Sequence, residues 1–104
     1  MVETLVFNEL SAQIDLDYEY SIKHYRDREG REIDFIVENS EGAILGIEVK
    51  SGSVVSKDDF RHMLWFKHNI VPDKEFIGIV LYTGENVLPF GNDLRAVPIA
   101  ALWN

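Results

Sequence analysis

Cysteine is absent from this chain, proline occurs only three times in 104 residues, and basic side chains are outnumbered. Without thiols there is no disulfide framework and no thiolate zinc site, which fits a cytoplasmic protein. No run of eighteen apolar residues occurs and no charged-then-apolar leader opens the sequence, which argues against a membrane span and a signal peptide. Ten Lys and Arg against eighteen Asp and Glu leave a net charge of −8. Proteins that hold nucleic acid non-specifically usually present a basic surface. Any nucleic-acid contact is therefore expected to be local, metal-assisted or supplied by another chain. Also missing is the Gly-x-x-x-x-Gly-Lys-Ser/Thr phosphate loop, so nucleotide hydrolysis is not assigned to these residues. No repeat, linker or low-complexity tract breaks the chain, and residues 1–104 read as one domain with one modest core.

The apolar residues that are present come in periodic blocks. Val2, Leu5, Val6 and Leu10 recur at helical spacing, and Glu9 falls on the same stripe, where an acid needs a partner or a task. Aromatics and Ile22 between Tyr18 and Arg26 predict a strand. The turn Asp27-Arg28-Glu29-Gly30 leads to a second strand carrying Asp34, and Asn39-Ser40-Glu41-Gly42 leads to a third carrying Glu48 and Lys50. Ser56-Lys57-Asp58-Asp59 has the spacing of a capping box, with Asp in place of Glu. It opens a helix with an inward stripe of Phe60, Met63, Leu64 and Val71. The apolar run from Glu75 to Tyr82 is too continuous for a half-exposed strand and suits a buried one. Leu88-Pro89-Phe90 and Val97-Pro98-Ile99 read as short or edge strands, because proline removes a ladder donor.

Side chains alternate across a strand, so Glu48 and Lys50 leave on one face while Leu45, Ile47 and Val49 leave on the other. The same count puts Ile33, Phe35 and Val37 on one face of the preceding strand, with Asp34 and Ile36 on its reverse. If the two strands pair as a hairpin, Asp34 and Glu48 meet on one surface. Converging carboxylates suit Mg2+, which keeps several waters and takes one or two protein carboxylates. A lysine beside such a cation can orient a water or stabilise charge developing on a phosphate. That chemistry suits cutting a phosphodiester. The competing account is a same-face ion pair of Glu48 and Lys50 on an exposed sheet. Asp34 weighs against it, because it interrupts a run that otherwise wants burial.

The order of elements, with an acid on the first helix, Asp34 on the second strand and Glu48-Val49-Lys50 on the third, resembles the PD-(D/E)XK nuclease superfamily. The resemblance implies an α/β, restriction-endonuclease-like core in the order α-β-β-β-α-β plus short C-terminal strands, its mixed central sheet flanked by helices. It looks closest to the branch of archaeal Holliday-junction resolvases and RecB-type nucleases. Asp34 matches the first acid of the motif, Glu48 the second and Lys50 the lysine, while Glu9 matches a helix-borne acid found in part of the superfamily. Ile33 stands where the motif has proline. The wording from Glu3-Thr4-Leu5-Val6-Phe7-Asn8-Glu9-Leu10 through Tyr25-Arg26-Asp27-Arg28 and Leu81-Tyr82-Thr83-Gly84 to Pro98-Ile99-Ala100-Ala101-Leu102-Trp103 is similar to something narrower. It resembles the uncharacterised C-terminal domain of prokaryotic AAA+-type ATPase proteins. This implies an ATPase region ahead of Met1 or on a partner, the chain being either part of a longer protein or a short gene product of its own.

On this resemblance Asp34, Glu48, the carbonyl of Val49 and Glu9 are the expected ligands of Mg2+ or Mn2+, Lys50 positions the attacking water, and DNA is the expected substrate. A non-catalytic interaction or nucleic-acid-binding module of the ATPase is the alternative. Arg26, Arg28 and Arg31 can grip phosphates beside the site, or form a solvated mixed-charge turn with Asp27, Glu29 and Glu32. His24, His62 and His68 lack ligand-like spacing with the acids and read as surface or core-edge residues. Trp65 and Trp103 read as core or partner-facing anchors, since no basic residues cluster about them. The Leu88-Pro89-Phe90 edge with Trp103 either buries against a second copy, giving a homodimer, or closes the domain's own core.

Overall fold

The computed structural model describes residues 20–91 and 93–100. The expected N-terminal helix with Glu9 lies outside the described residues, as does Trp103. Within them six strands form one mixed sheet in the order β1-β2-β3-β4-β6-β5. These are β1 (Tyr20–Arg26), β2 (Glu32–Asn39), β3 (Ile44–Val49), β4 (Phe76–Tyr82), β5 (Leu88–Pro89) and β6 (Leu94–Pro98), and the helix α1 (Arg61–Asn69) lies between β3 and β4.

 
Along the chain β1, β2 and β3 make an antiparallel meander, β3 runs parallel to β4, and β4 runs parallel to β6, Leu94–Pro98. This is the β-β-β-α-β part of the expected restriction-endonuclease-like core. Among the described residues no helix is long and apolar enough to cross a membrane.

The two hairpin turns are built alike. Asp27 Oδ1 accepts the N–H groups of Glu29 and Arg31, and Asn39 Oδ1 accepts those of Glu41 and Ala43. Three residues after each Asx side chain a glycine takes a left-handed backbone, Gly30 at φ 84° and Gly42 at φ 88°. A side chain with a Cβ is strained there, so the turn sequences predict their own geometry.

Apart from β1, which is mostly exposed, the sheet buries residues on both of its faces. Val37, Leu45, Ile47, Ile79, Leu81 and Val97 pack on one side, joined by Phe35, Ile77 and Ile99. The other side carries Ile36, Ile44, Phe76, Val80 and Leu94 against Phe60, Met63 and Phe66 of the helical segment. That segment begins as a 3-10 turn over Lys57–Phe60 and continues as α1. Full burial of each of its three apolar anchors is worth about 2 kcal/mol, so they decide where the helix docks. Phe66 completes a stripe that the sequence assigned to Phe60, Met63, Leu64 and Val71. Val71 lies beyond α1 and packs at the margin with Leu64. Gly46 and Gly78 stand side by side in β3 and β4 and form the seat for Met63.

Two expectations are corrected. Strict alternation put Ile33 with Phe35 and Val37, but Ile33 packs with Ile36 on the helix side. The cause is a bulge: Lys23 pairs with Ile36 and Tyr25 with Ile33, so Asp34 and Phe35 together face the single residue His24. Val97-Pro98-Ile99, expected as a short or edge strand, belongs to the short five-residue β6, which is not an edge. β6 lies between β4 and β5, with Leu94, Ala96, Val97 and Pro98 buried, and its proline is tolerated at the strand's last residue. The edge on that side is the two-residue β5, in agreement with the short edge expected at Leu88-Pro89, and Phe90 just after it packs against Phe60, the ring centroids 5.2 Å apart.

Candidate functional site

The pairing of β2 with β3 runs from Glu38 opposite Ile44 to Phe35 opposite Ile47. The ladder stops there, one residue short of Asp34 on β2 and of Glu48 on β3. At that point side chains take over from the ladder: Asp34 Oδ2 accepts the N–H of Val49 at 2.8 Å, and the Glu48 carboxylate accepts the backbone N–H of Asp34. Each acid thus holds the other's strand. The N–H and C=O of one extended residue leave on the same edge, so the Val49 carbonyl also faces β2.

Glu48 is half buried on the helix side of the sheet. Burial is the largest cause that raises its carboxyl, followed by the charge of Asp34, with Glu32 adding to both. The Asp34 N–H and Arg61 oppose them without prevailing, and the group is pushed up to about 7. A converging negative field of this kind is relieved by a proton or by a cation.

Glu48 ionises near 4.5 in an unfolded chain and near 7 in the fold, so between those values the folded state keeps a proton that the unfolded state has lost. Its contribution to stability is complete below 4.5 and is lost as pH rises through 7. In urea titrations Glu48→Gln is expected to match the parent at about pH 4 and to exceed it by about 1 to 2 kcal/mol at about pH 8, a figure reduced for partial solvent screening. Parallel pH profiles for the two proteins would contradict this.

Lys50 follows β3 directly. Its N–H donates to the Leu81 carbonyl at 2.7 Å, which ties the end of β3 to β4. Its ammonium lies 2.8 Å from Asp59 Oδ2 in the 3-10 turn. The same oxygen accepts the N–H of Ser56 at 2.8 Å, the half of the capping box formed by Asp59. Burial works to raise the Asp59 carboxyl, but the Lys50 ammonium and the Ser56 N–H outweigh it and hold the group below its ordinary range. Glu48, Val49, Lys50, Ser51, Asp59 and Val80 line an open cleft of about 280 Å³.

The arginines separate. Arg31 donates to Asp27 Oδ2 at 3.1 Å and its guanidinium lies 4.0 Å above the Trp65 ring, while Arg26 and Arg28 are exposed. Trp65 therefore anchors the β1–β2 turn to α1. Two histidines come nearer to the acids than their spacing suggested. His24 Nδ1 lies 3.4 Å from the Asp34 carbonyl oxygen and its Nε2 3.5 Å from a Glu32 oxygen. His62 Nδ1 lies 3.2 Å from the Glu32 nitrogen, whereas His68 is exposed. Asp59 is a neighbour of Lys50 that the sequence does not reveal, since its spacing from Ser56 marks only a cap.

Among the described residues no group of three or more His, Cys, Asp or Glu is placed to hold a metal ion. Asp34 and Glu48 form a two-carboxylate pair instead, a donor set that fits a cation retaining most of its waters. Glu9 lies outside the described residues.

Two solved structures are similar to this chain. One is a repair endonuclease from Pyrococcus abyssi, at 17% identity and a TM-score of 0.45, with 79% of this chain and 38% of that one covered. The other is an EndoMS-dsDNA2 complex, at 14% identity and a TM-score of 0.38, with 88% of this chain and 43% of that one covered. The chain thus spans less than half the length of either. No curated protein matches it. A family model described as a domain of unknown function, DUF4143, matches residues 1–102, and the chain belongs to that family.

Proposed function

We propose that this chain is a metal-dependent phosphodiesterase domain of the nuclease type that acts on DNA in the cytoplasm. The observation that carries the reading is the meeting of Asp34 and Glu48 at the ends of β2 and β3, where burial and mutual repulsion leave Glu48 protonated or in need of a cation near neutral pH. Asp34, Glu48 and the Val49 carbonyl would hold Mg2+ or Mn2+, with Glu9 as a further ligand. Such a cation supplies an acidified water and neutralises charge on a phosphate. The chain's own residues do the remainder. Lys50, on the rim of the same cleft, orients the attacking water and donates to a phosphate oxygen. Arg26 and Arg28 contact the backbone of the nucleic acid, and Arg31 steadies their turn through Trp65.

A second reading is favoured by the net charge of −8. In it the domain is a non-catalytic module that works with an ATPase region of the same or a partner protein, which supplies the basic surface. Titration calorimetry with Mn2+, together with incubation of labelled single-stranded, duplex and branched DNA, decides between the two. Heat of binding and divalent-dependent cleavage are expected. No binding at millimolar Mn2+ would overturn the catalytic reading and leave the module.

A further inference from the structure

We propose that Asp59 is a positioning residue that fixes the Lys50 ammonium at the rim of the cleft. The inference rests on the nuclease reading for its catalytic consequence, though the placement of Lys50 is a matter of geometry alone. Lys50 stands just past the end of β3, where the sheet no longer confines its side chain. A lysine carries a flexible stem of four carbons, and an ammonium without a fixed acceptor samples many positions. Here one acceptor is supplied at 2.8 Å by Asp59 Oδ2.

That oxygen is itself fixed, by the Ser56 N–H at 2.8 Å and by its place in the turn that precedes α1. The adjacent Phe60 is fully buried and anchors the turn beneath the sheet. A chain of contacts therefore runs from the core through Phe60 and Asp59 to Lys50. The lysine of the Glu48-Val49-Lys50 run receives its direction from a residue nine positions later, on a different element. Arg61 and Asp58 form their own pair at 2.6 Å, which leaves Asp59 as the carboxylate that takes Lys50.

The test uses the variants Asp59→Asn, Lys50→Ala and the two combined. Asp59→Asn keeps an oxygen for the Ser56 N–H but removes the charge that holds Lys50. Misplacing a group that acts on the reacting water typically costs about 10- to 100-fold. The kcat for cleavage of labelled DNA is expected to fall by that factor, with KM and Mn2+ affinity unchanged. The double variant is expected to be no worse than Lys50→Ala, because the two residues act as a unit. Multiplying losses, or an unchanged kcat in Asp59→Asn, would overturn the proposal.

A readout independent of cleavage separates its failure from failure of the nuclease reading. Reductive 13C-methylation makes each lysine visible by NMR. The Lys50 resonance is expected to move in Asp59→Asn toward those of exposed lysines and to return in Asp59→Glu. A Lys50 resonance that ignores both substitutions sinks the proposal even in an active enzyme. A protein that binds no Mn2+ yet shows the shift loses the nuclease reading while the placement of Lys50 by Asp59 stands.

Discussion

Asp34→Asn and Glu48→Gln are each expected to abolish Mn2+ binding and to lower divalent-dependent DNA cleavage by at least about 1,000-fold. The amide variants are preferred to alanine for a structural reason. Asp34 Oδ2 accepts the Val49 N–H, and Glu48 accepts the N–H of Asp34. Alanine would leave those groups unpaired and weaken the junction of β2 and β3, at a cost of about 1 to 3 kcal/mol where they are buried. An amide keeps an acceptor oxygen and removes only the charge. Lys50→Ala is expected to behave differently, retaining Mn2+ affinity while cleavage falls about 100-fold, since an ammonium is not a ligand of a cation. Calorimetry and gel assays on the same preparations separate the two effects. Undiminished Mn2+ affinity in Asp34→Asn would remove the two-carboxylate site from consideration.

The second large effect belongs to the sheet. Gly46→Val or Gly78→Val is expected to destabilise the fold by about 3 kcal/mol or more, a large share of the roughly 5 to 15 kcal/mol available to a typical domain. A Cβ at Gly46 would stand 2.8 Å from Phe76 Cζ and 3.2 Å from Met63 Sδ. At Gly78 it would stand 2.8 Å from Leu94 Cδ2 and 3.1 Å from the same sulfur. Phe76, Met63 and Leu94 are all buried, so none has open space to retreat into. The helix must lift, and the 3-10 turn that carries Asp59 lifts with it. Urea denaturation should show a lowered midpoint with an unchanged slope. A midpoint equal to the parent's would mean that the seat of Met63 is looser than these distances require.

Much of this arrangement was legible in the sequence. Asx residues followed three positions later by glycine marked both hairpin turns, because so few backbones accommodate that pattern. The continuous apolar run in β4 marked a strand covered on both sides. Asp34 and Glu48 could be brought opposite each other by counting through the Asn39 turn. What escaped was anything that depends on a partner far along the chain. The pairing of β6 with β4 is parallel and long-range, and the proline in it looked like an edge signal. Phe66 lies on the same helical stripe, but spacing alone does not rank it above Val71. Asp59 was visible as a capping acid, yet nothing in its spacing from Lys50 reveals that the oxygen holding Ser56 also holds an ammonium.

The bulge in β2 carries a consequence for how this family can vary. Asp34 and Phe35 share one partner on β1, so the stretch from Ile33 to Ile36 holds one residue more than a regular strand would. Removing that residue would restore even alternation, yet it would also change the distance along the chain from the Asp27 turn to the acid. Ile33 would leave the helix-side core, or Asp34 would leave the junction with Val49. Length in this strand is therefore as constrained as composition. Insertions and deletions in related sequences are expected to collect in the exposed residues after Lys50 and after Tyr82, and to be absent between Asp27 and Asn39.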